Sequence, residues 1–534
     1  MTYLQYIASF QWLFLVGSIL VLTSYIFSEL RTTRKFAVFV LFTGALLQNL
    51  FLIQADPFLG YWDEEFHALV AKNMLQNPFY PHLLDENWIK GNFETFTHQG
   101  LWIHKQPLFL WLMSLSMKLF GVGYWQFRLP SAIAMAAMVF PINSIGKKIL
   151  NDRVGFWAAL FFVSASVYGK LIVGRFTLDH NDVWFAFFIL MSIFFYFKYL
   201  EKWSYHFAIA TGLMAGAAVL IKWLPGILVF SAWGVQLLTD RIWRHDRRKY
   251  FHFFAGLMAM LIVALPWQLY CYIHFTDSFL YILKVNHEHF SEIVQGHDGP
   301  WNYHFLELGN QINPYFQWIS LLAFVFILTP LSALKWAHKV AMAIYIGLFF
   351  LFFSLSATKM PMFTFPVWPL VFIAVAVFLH QILKLIQWIR LDSNVKKVVQ
   401  NIVTSVVVLG VSWWLFNIQE YLLKPEWRQD MWSKFYTEEQ LYQNIGSKVD
   451  PQKSIFFNFP LVGHVRFTFT TGIQAREYLP SENEIEILKQ KGIQIYLLES
   501  EALPMEIIEN KEFIKVKTDV FEDKIHSNEV KFYR

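Results

Sequence analysis

The chain has one cysteine, Cys271, set in an apolar stretch. A single cysteine excludes an internal disulfide, so the compartment has to be read from topology. Charge is scarce as well: 16% of the 534 residues are Asp, Glu, Lys or Arg, against roughly 25% in soluble domains. That shortfall argues against a chain dissolved in water. The net charge of +5 is too small for a nucleic-acid footprint and fits Lys and Arg held in cytoplasmic loops. The N-terminal apolar stretch lacks a basic leader and a small-residue cleavage site, so it reads as a retained span and not a signal peptide. There is no internal repeat and no low-complexity tract. What is abundant is apolar: 56% of residues are hydrophobic and 19% aromatic, a composition suited to hydrocarbon and its interfaces. The chain reads as a polytopic membrane protein.

A span needs about 20 mostly apolar residues. Candidates lie near 8–29, 36–54, 129–147, 154–172, 182–200, 205–221, 223–239, 251–273, 315–334, 338–356, 361–388 and 396–417. The expected fold class is therefore an all-α membrane protein of about 12 transmembrane helices. Basic clusters follow alternate spans: Arg31, Arg34 and Lys35; Lys147, Lys148 and Arg153; Arg241, Arg244, Arg247, Arg248 and Lys249; Lys335 and Lys339; Arg390, Lys396 and Lys397. The positive-inside rule puts them in the cytoplasm. Both termini and the long segments 56–127 and 274–314 then lie outside. The apolar run Pro107–Phe120, at about 14 residues, is too short to cross and is expected to lie along the outer interface. Past residue 417 charge becomes frequent and short apolar runs such as Ser454–Phe459 and Ile493–Leu498 appear. Residues 1–417 are read as the membrane domain, and 418–534 as a small extracytoplasmic α/β domain, long enough to fold alone.

The ionisable residues of the outer face form a pattern. The first outer segment opens Gly60-Tyr61-Trp62-Asp63-Glu64-Glu65-Phe66-His67. Acids favour a first helical turn, but a carboxylate at the membrane surface also suits a general base. The segment closes His104-Lys105-Gln106-Pro107-Leu108. Lys105 can present its ammonium to a lipid phosphate, although snorkelling is the ordinary explanation. The turn Gly174-Arg175-Phe176-Thr177-Leu178-Asp179-His180-Asn181-Asp182 is denser in charge than a turn requires. Lys222 and Lys359 stand at other outer span boundaries, where ionisable groups are functional candidates. His287 and His289 are spaced as metal ligands on an extended strand and would diverge on a helix; a zinc site needs three or four ligands. A carboxylate base surrounded by cations suits transfer away from a phosphate leaving group.

Four motifs occur in order: Trp62-Asp63-Glu64-Glu65-Phe66-His67-Ala68, His104-Lys105-Gln106-Pro107-Leu108, Arg128-Leu129-Pro130-Ser131 and Lys359-Met360-Pro361. They resemble the polyprenyl-phosphate-dependent GT-C glycosyltransferases, among them protein O-mannosyltransferases and the bacterial lipid A aminoarabinose transferase. The resemblance covers roughly residues 36–390, and His287-Glu288-His289-Phe290 with Lys359 brings it nearest the aminoarabinose branch. It implies an inverting transfer from undecaprenyl phosphate at the outer face of the bacterial cytoplasmic membrane to a lipid, glycan or protein acceptor. It assigns Asp63 as the catalytic base, Asp182 or Asp179 as a second acid (with Asp182 favoured), and Lys105, Arg128, Lys222 and Lys359 to the donor phosphate. It also implies a zinc or other divalent site built from His104 with His287 or His289. The sequence departs from the family at Gln106, where a second proline is usual, and at His104, where the aminoarabinose branch has Glu. Glu292 stands where that branch carries an Arg. The rival from another class is a transporter or flippase, which would place ionisable residues at mid-membrane and show related halves. A non-catalytic assembly protein is a further rival, and would leave Asp63 and Lys105 free to vary.

Overall fold

With no water in hydrocarbon to satisfy backbone groups, long apolar runs fold as helices. The computed structural model describes residues 3–30, 32–92, 95–175, 179–332, 334–385, 393–417, 425–460, 462–499, 503, 510–517 and 531–533. Among the described residues nine helices are long and apolar enough to cross a membrane: Gln11–Glu29, Arg34–Gln54, Tyr124–Ile149, His180–Lys202, Tyr205–Lys222, Arg247–His274, Trp336–Leu355, Phe365–Lys384 and Val395–Leu415. Each coincides with one of the twelve expected spans. The other three are broken or short. The 154–172 span is two helices, Asp152–Ser164 and Val167–Ile172. The 223–239 span begins with a 3-10 turn, Leu224–Ile227, before Leu228–Thr239. Phe316–Leu328 is joined to Tyr303–Gln311 at a 120° bend, and Pro314 in the joint has no N–H to continue a helix. Arg31, Arg390, residues 386–388, 176–178 and the 418–424 junction lie outside the described residues.

Ion pairs identify one end of the bundle. Arg153 pairs with Glu29 at 2.8 Å, Lys147 with Asp152 at 2.6 Å, and Lys148 with Glu201. The basic clusters after the first and third spans therefore share an end, as expected. Asp63, Lys105 and Asp179 gather at the opposite one. Pro107–Phe120 starts beside Lys105 and ends near the start of the next span, where Ser116 Oγ donates to the Gln126 carbonyl at 2.6 Å. Both its ends stay on the site side, so it does not cross.

Beyond the helix Pro425–Gly446 lies a five-stranded sheet: β1 Ser454–Phe457, β2 Gln474–Ala475, β3 Gln494–Leu498, β4 Ile514–Lys517 and β5 Lys531–Tyr533, in the order β2-β1-β3-β4-β5. All neighbours are parallel except β4 and β5. Alternation sends Phe456, Tyr496 and Val516 to one face, against Tyr442 and Phe467. It sends Ile455, Phe457, Ile495 and Leu497 to the other, where Trp88 and Ile89 of the first outer segment complete the layer. The expected small α/β unit is present, and it is seated on that segment.

Candidate active site

Three consecutive acids start the helix Asp63–Asn73. Successive residues on a helix point about 100° apart, so the three carboxylates serve three different places. Trp62, just before them, takes φ +71°. That is a strained conformation for a bulky residue, held by stacking on Phe96 at 5.8 Å and edge contact with Phe66.

Glu64 turns inward and is fully buried. Arg128 grips it with Nε at 2.6 Å and Nη2 at 2.7 Å, His180 Nε2 lies 3.0 Å away, and the Gly60 N–H donates to it. Burial, the largest influence, would raise this carboxyl; the charge and hydrogen bonds of Arg128 outweigh it and hold the group at about 2. Arg128 also donates to the carbonyls of Ile53, Asp56 and Phe58. All five guanidinium N–H groups are thus spent on protein, which corrects the expectation that Arg128 binds a donor phosphate. Asp56 in turn accepts from Arg175 Nε at 2.5 Å. These pairs tie the first outer segment to the turn that carries Asp179.

Asp63 points to a different cluster. Lys105 Nζ stands 3.8 Å from Asp63 Oδ1 and 3.0 Å from Asp179 Oδ2. The other oxygen of Asp179 lies 3.0 Å from His67 Nδ1 and caps the helix His180–Lys202 by accepting from the Asn181 N–H. The two carboxyls are pushed apart. Burial raises Asp63, against the pull of Lys105 and with the help of Asp179. Burial also opposes ionisation of Asp179, but His67 and Lys105 outweigh it and set Asp179 well below the ordinary range. Burial would lower Lys105, yet Asp179 and Asp63 raise it. Asp182 was the favoured second acid, but the structure gives that place beside Asp63 to Asp179. Asp182 pairs instead with Lys222, whose Nζ lies 4.8 Å from the Phe363 ring centroid.

Lys359 donates through Nζ to the Ser356 carbonyl at 2.7 Å and is buried. Its loop is strapped to the second outer segment, with the Ala357, Thr358 and Lys359 N–H groups bound to Phe290, His289 and His297 carbonyls. The expected metal pair is His104 with either His287 or His289, and only one of the two can face it. His287 and His289 lie on the helix Thr276–Ser291, where residues two apart point away from each other. His289 Nδ1 is 2.8 Å from the Val285 carbonyl. His104 is half-buried, and desolvation, with Lys105 and His289 nearby, sets it well below its ordinary value. Among the described residues the one group with metal-ligand spacing is Asp63, His67 and Asp179, their donor atoms all within 4.8 Å. Two carboxylate oxygens and an imidazole nitrogen suit a divalent ion, although the Lys105 ammonium already lies against both carboxylates.

His67 had no assigned role in the sequence reading. The available signal was its spacing: one turn after Asp63, it must share that residue's helix face. The Glu64–Arg128 pair carried no such signal, because the partners are far apart in the chain.

Residues 104–270 match the profile of the family described as dolichyl-phosphate-mannose-protein mannosyltransferase; that stretch holds Lys105, Arg128, Asp179, Asp182 and Lys222. An uncharacterised protein of Aquifex aeolicus is 23% identical over 330 residues, 60% of this chain and 61% of its own length. An undecaprenyl phosphate-alpha-4-amino-4-deoxy-L-arabinose arabinosyl transferase of Pseudomonas aeruginosa is 26% identical over 330 residues, 58% of this chain and 53% of its own. The chain thus matches a little over half the length of these curated relatives. The crystal structure of ArnT from Cupriavidus metallidurans bound to undecaprenyl phosphate superposes with a TM-score of 0.61 over 90% of both chains, at 16% identity. The oligosaccharyltransferase AglB from Archaeoglobus fulgidus, in complex with an inhibitory peptide and a dolichol-phosphate, superposes with a TM-score of 0.53 over 86% of this chain and 69% of its own, at 11% identity. These superpositions give the chain the fold of ArnT and AglB, the GT-C type.

Proposed function

We propose that this chain is an inverting membrane glycosyltransferase, moving a sugar from a polyprenyl phosphate to a hydroxyl of a lipid (lipid A-like), glycan or protein acceptor. The observation that carries this reading is the unequal pair of carboxyls around Lys105. Among the described residues Asp179 is held by three partners and kept ionised, whereas Asp63 has one long contact and a raised proton affinity. Two carboxyls whose environments push them apart divide into a base and an anchor. In this reading Asp63 takes the proton of the acceptor hydroxyl as its oxygen attacks the anomeric carbon. The bond from that carbon to the phosphate oxygen breaks on the opposite side, and the phosphate leaves with the bonding electrons. Lys105 and Lys222 stabilise the charge that develops there. Should a divalent ion bind, Asp63, His67 and Asp179 would hold it, and it would add charge stabilisation at the same phosphate.

The reading puts this end of the bundle and the C-terminal unit outside the bacterial cytoplasmic membrane, and treats 1–417 and 418–534 as separate domains. The transporter alternative is less well supported, because the ionisable groups gather at one end of the spans and not at their middle.

The test uses purified protein in detergent, radiolabelled undecaprenyl-phosphate sugars and a crude envelope extract as acceptor. Wild type should move label from donor to extract, and the labelled product then names the acceptor. Asp63→Asn should turn over at least about 100-fold more slowly. Folded wild type that transfers label from no donor would reject the reading.

A further inference from the structure

His67 is fully buried, with its ring between the edges of Trp102 at 5.5 Å and Phe109 at 5.0 Å. Such a site suits a phenylalanine equally well if packing is the whole of its role. Yet the ring carries a polar atom to one place: Nδ1, 3.0 Å from Asp179 Oδ1. Neither ring nitrogen has an aligned hydrogen-bond partner among the described residues, so the approach of Nδ1 to the Asp179 carboxylate is a close polar contact. A buried polar group needs a partner, and among the described residues the Asp179 carboxylate is the one within reach of this ring.

The contact closes a ring of four residues. Asp63 and His67 are joined by one helical turn, His67 reaches Asp179, Asp179 reaches Lys105, and Lys105 returns to Asp63. The two Lys105 distances are unequal, 3.0 Å to Asp179 and 3.8 Å to Asp63. We infer that His67 is a positioning residue: by fixing Oδ1 of Asp179 it presents Oδ2 to Lys105, and so holds the ammonium on Asp179 and off Asp63. Asp63 is left free to accept a proton. Without His67 the Asp179 carboxylate can rotate, and Lys105 redistributes between the two acids. The inference rests on the reading of Asp63 as the base, but its structural half does not.

Two substitutions separate the polar role from packing. His67→Phe keeps the ring and removes the nitrogen. His67→Asn removes the ring but carries an amide N–H close to where Nδ1 stands. In the label-transfer assay His67→Phe should lower kcat between about 10- and 100-fold with little change in the donor KM, as for a misplaced catalytic group. His67→Asn should stay within about threefold of wild type. A packing role predicts the reverse order, with Phe active and Asn impaired, and that order overturns the inference. So does loss of activity in both variants.

A second measurement needs no sugar transfer. An amine-acylating reagent followed by mass spectrometry reports how firmly the Lys105 ammonium is held. Labelling of Lys105 should rise severalfold in folded His67→Phe and stay at the wild-type level in His67→Asn. Unchanged labelling in His67→Phe shows that Lys105 does not depend on His67, and overturns the inference whether or not the chain transfers sugar.

Discussion

Neighbouring carboxyls in one helical turn are held in opposite ways, and stability should report the difference. Glu64 is ionised because Arg128 surrounds it. A carboxyl lowered from 4.5 to about 2 contributes stability that is present above 4.5 and lost as pH falls toward 2. Removing one partner of a fully buried ion pair leaves the other uncompensated, at a cost of about 3–5 kcal/mol. Glu64→Gln should therefore lower the thermal midpoint in detergent clearly, and activity with it, because the anchor of the Asp63 turn is lost. Asp63 has the opposite sign. Its raised value means that the fold disfavours its ionised form, a conflict typical of functional groups. Asp63→Asn should melt at or above the wild-type temperature while losing turnover. A drop as large as that of Glu64→Gln would make Asp63 another structural acid and remove its candidacy as base.

At the scale of elements, the nine long helices were readable because lipid as solvent demands about 20 apolar residues in a row. Breaks within apolar runs were not: hydropathy is the same on both sides of Ala165 and Ser166, where the 154–172 span divides. Pro314 did signal a stop, but not the 120° turn that followed. In the site the motif order located Asp63 and Lys105. Which of Asp179 and Asp182 stands beside them depended on the helix cap: Asp179 caps, so its side chain leaves the helix toward Lys105 and His67. The turn just before that cap depends on Gly174, at φ +56°, a left-handed conformation that glycine adopts readily. A Cβ there would lie 2.8 Å from Glu64 Cβ. Gly174→Ala combines backbone strain with displacement of the Glu64 side chain, and should cost on the order of 1–3 kcal/mol. The check is the thermal midpoint beside that of Gly347→Ala, whose added Cβ meets nothing within 4 Å. Equal midpoints would show that the turn is not under this constraint.

At the scale of the whole molecule, the C-terminal unit is built onto the end of the bundle that carries Asp63. Trp88 and Ile89 complete one face of its sheet, Lys72 donates to the Phe469 carbonyl at 2.5 Å, and the Trp432 indole donates to Ala55 at 3.2 Å. The third acid of the Asp63 turn, Glu65, faces this interface. Arg466 lies 3.9 Å from it but pairs closely with Glu438. Burial, only partly opposed by Arg466 and reinforced by Glu438 and Glu64, pushes Glu65 up to about 8. At neutral pH it is therefore protonated in the fold and ionised when the fold opens. The folded state then binds more protons than the open one between 4.5 and about 8, so the attachment weakens as pH rises through that window and levels off above it. Hydrogen exchange in the helix Gly463–Thr471, which carries Arg466, should quicken across the window beyond the intrinsic effect of pH. Glu65→Gln, neutral at every pH, should flatten that excess and hold the helix as firmly at pH 8 as wild type does near pH 5. If wild type and Glu65→Gln share one profile, Glu65 does not govern the seating of the C-terminal unit, and the link from the Asp63 turn to that unit runs through apolar packing alone.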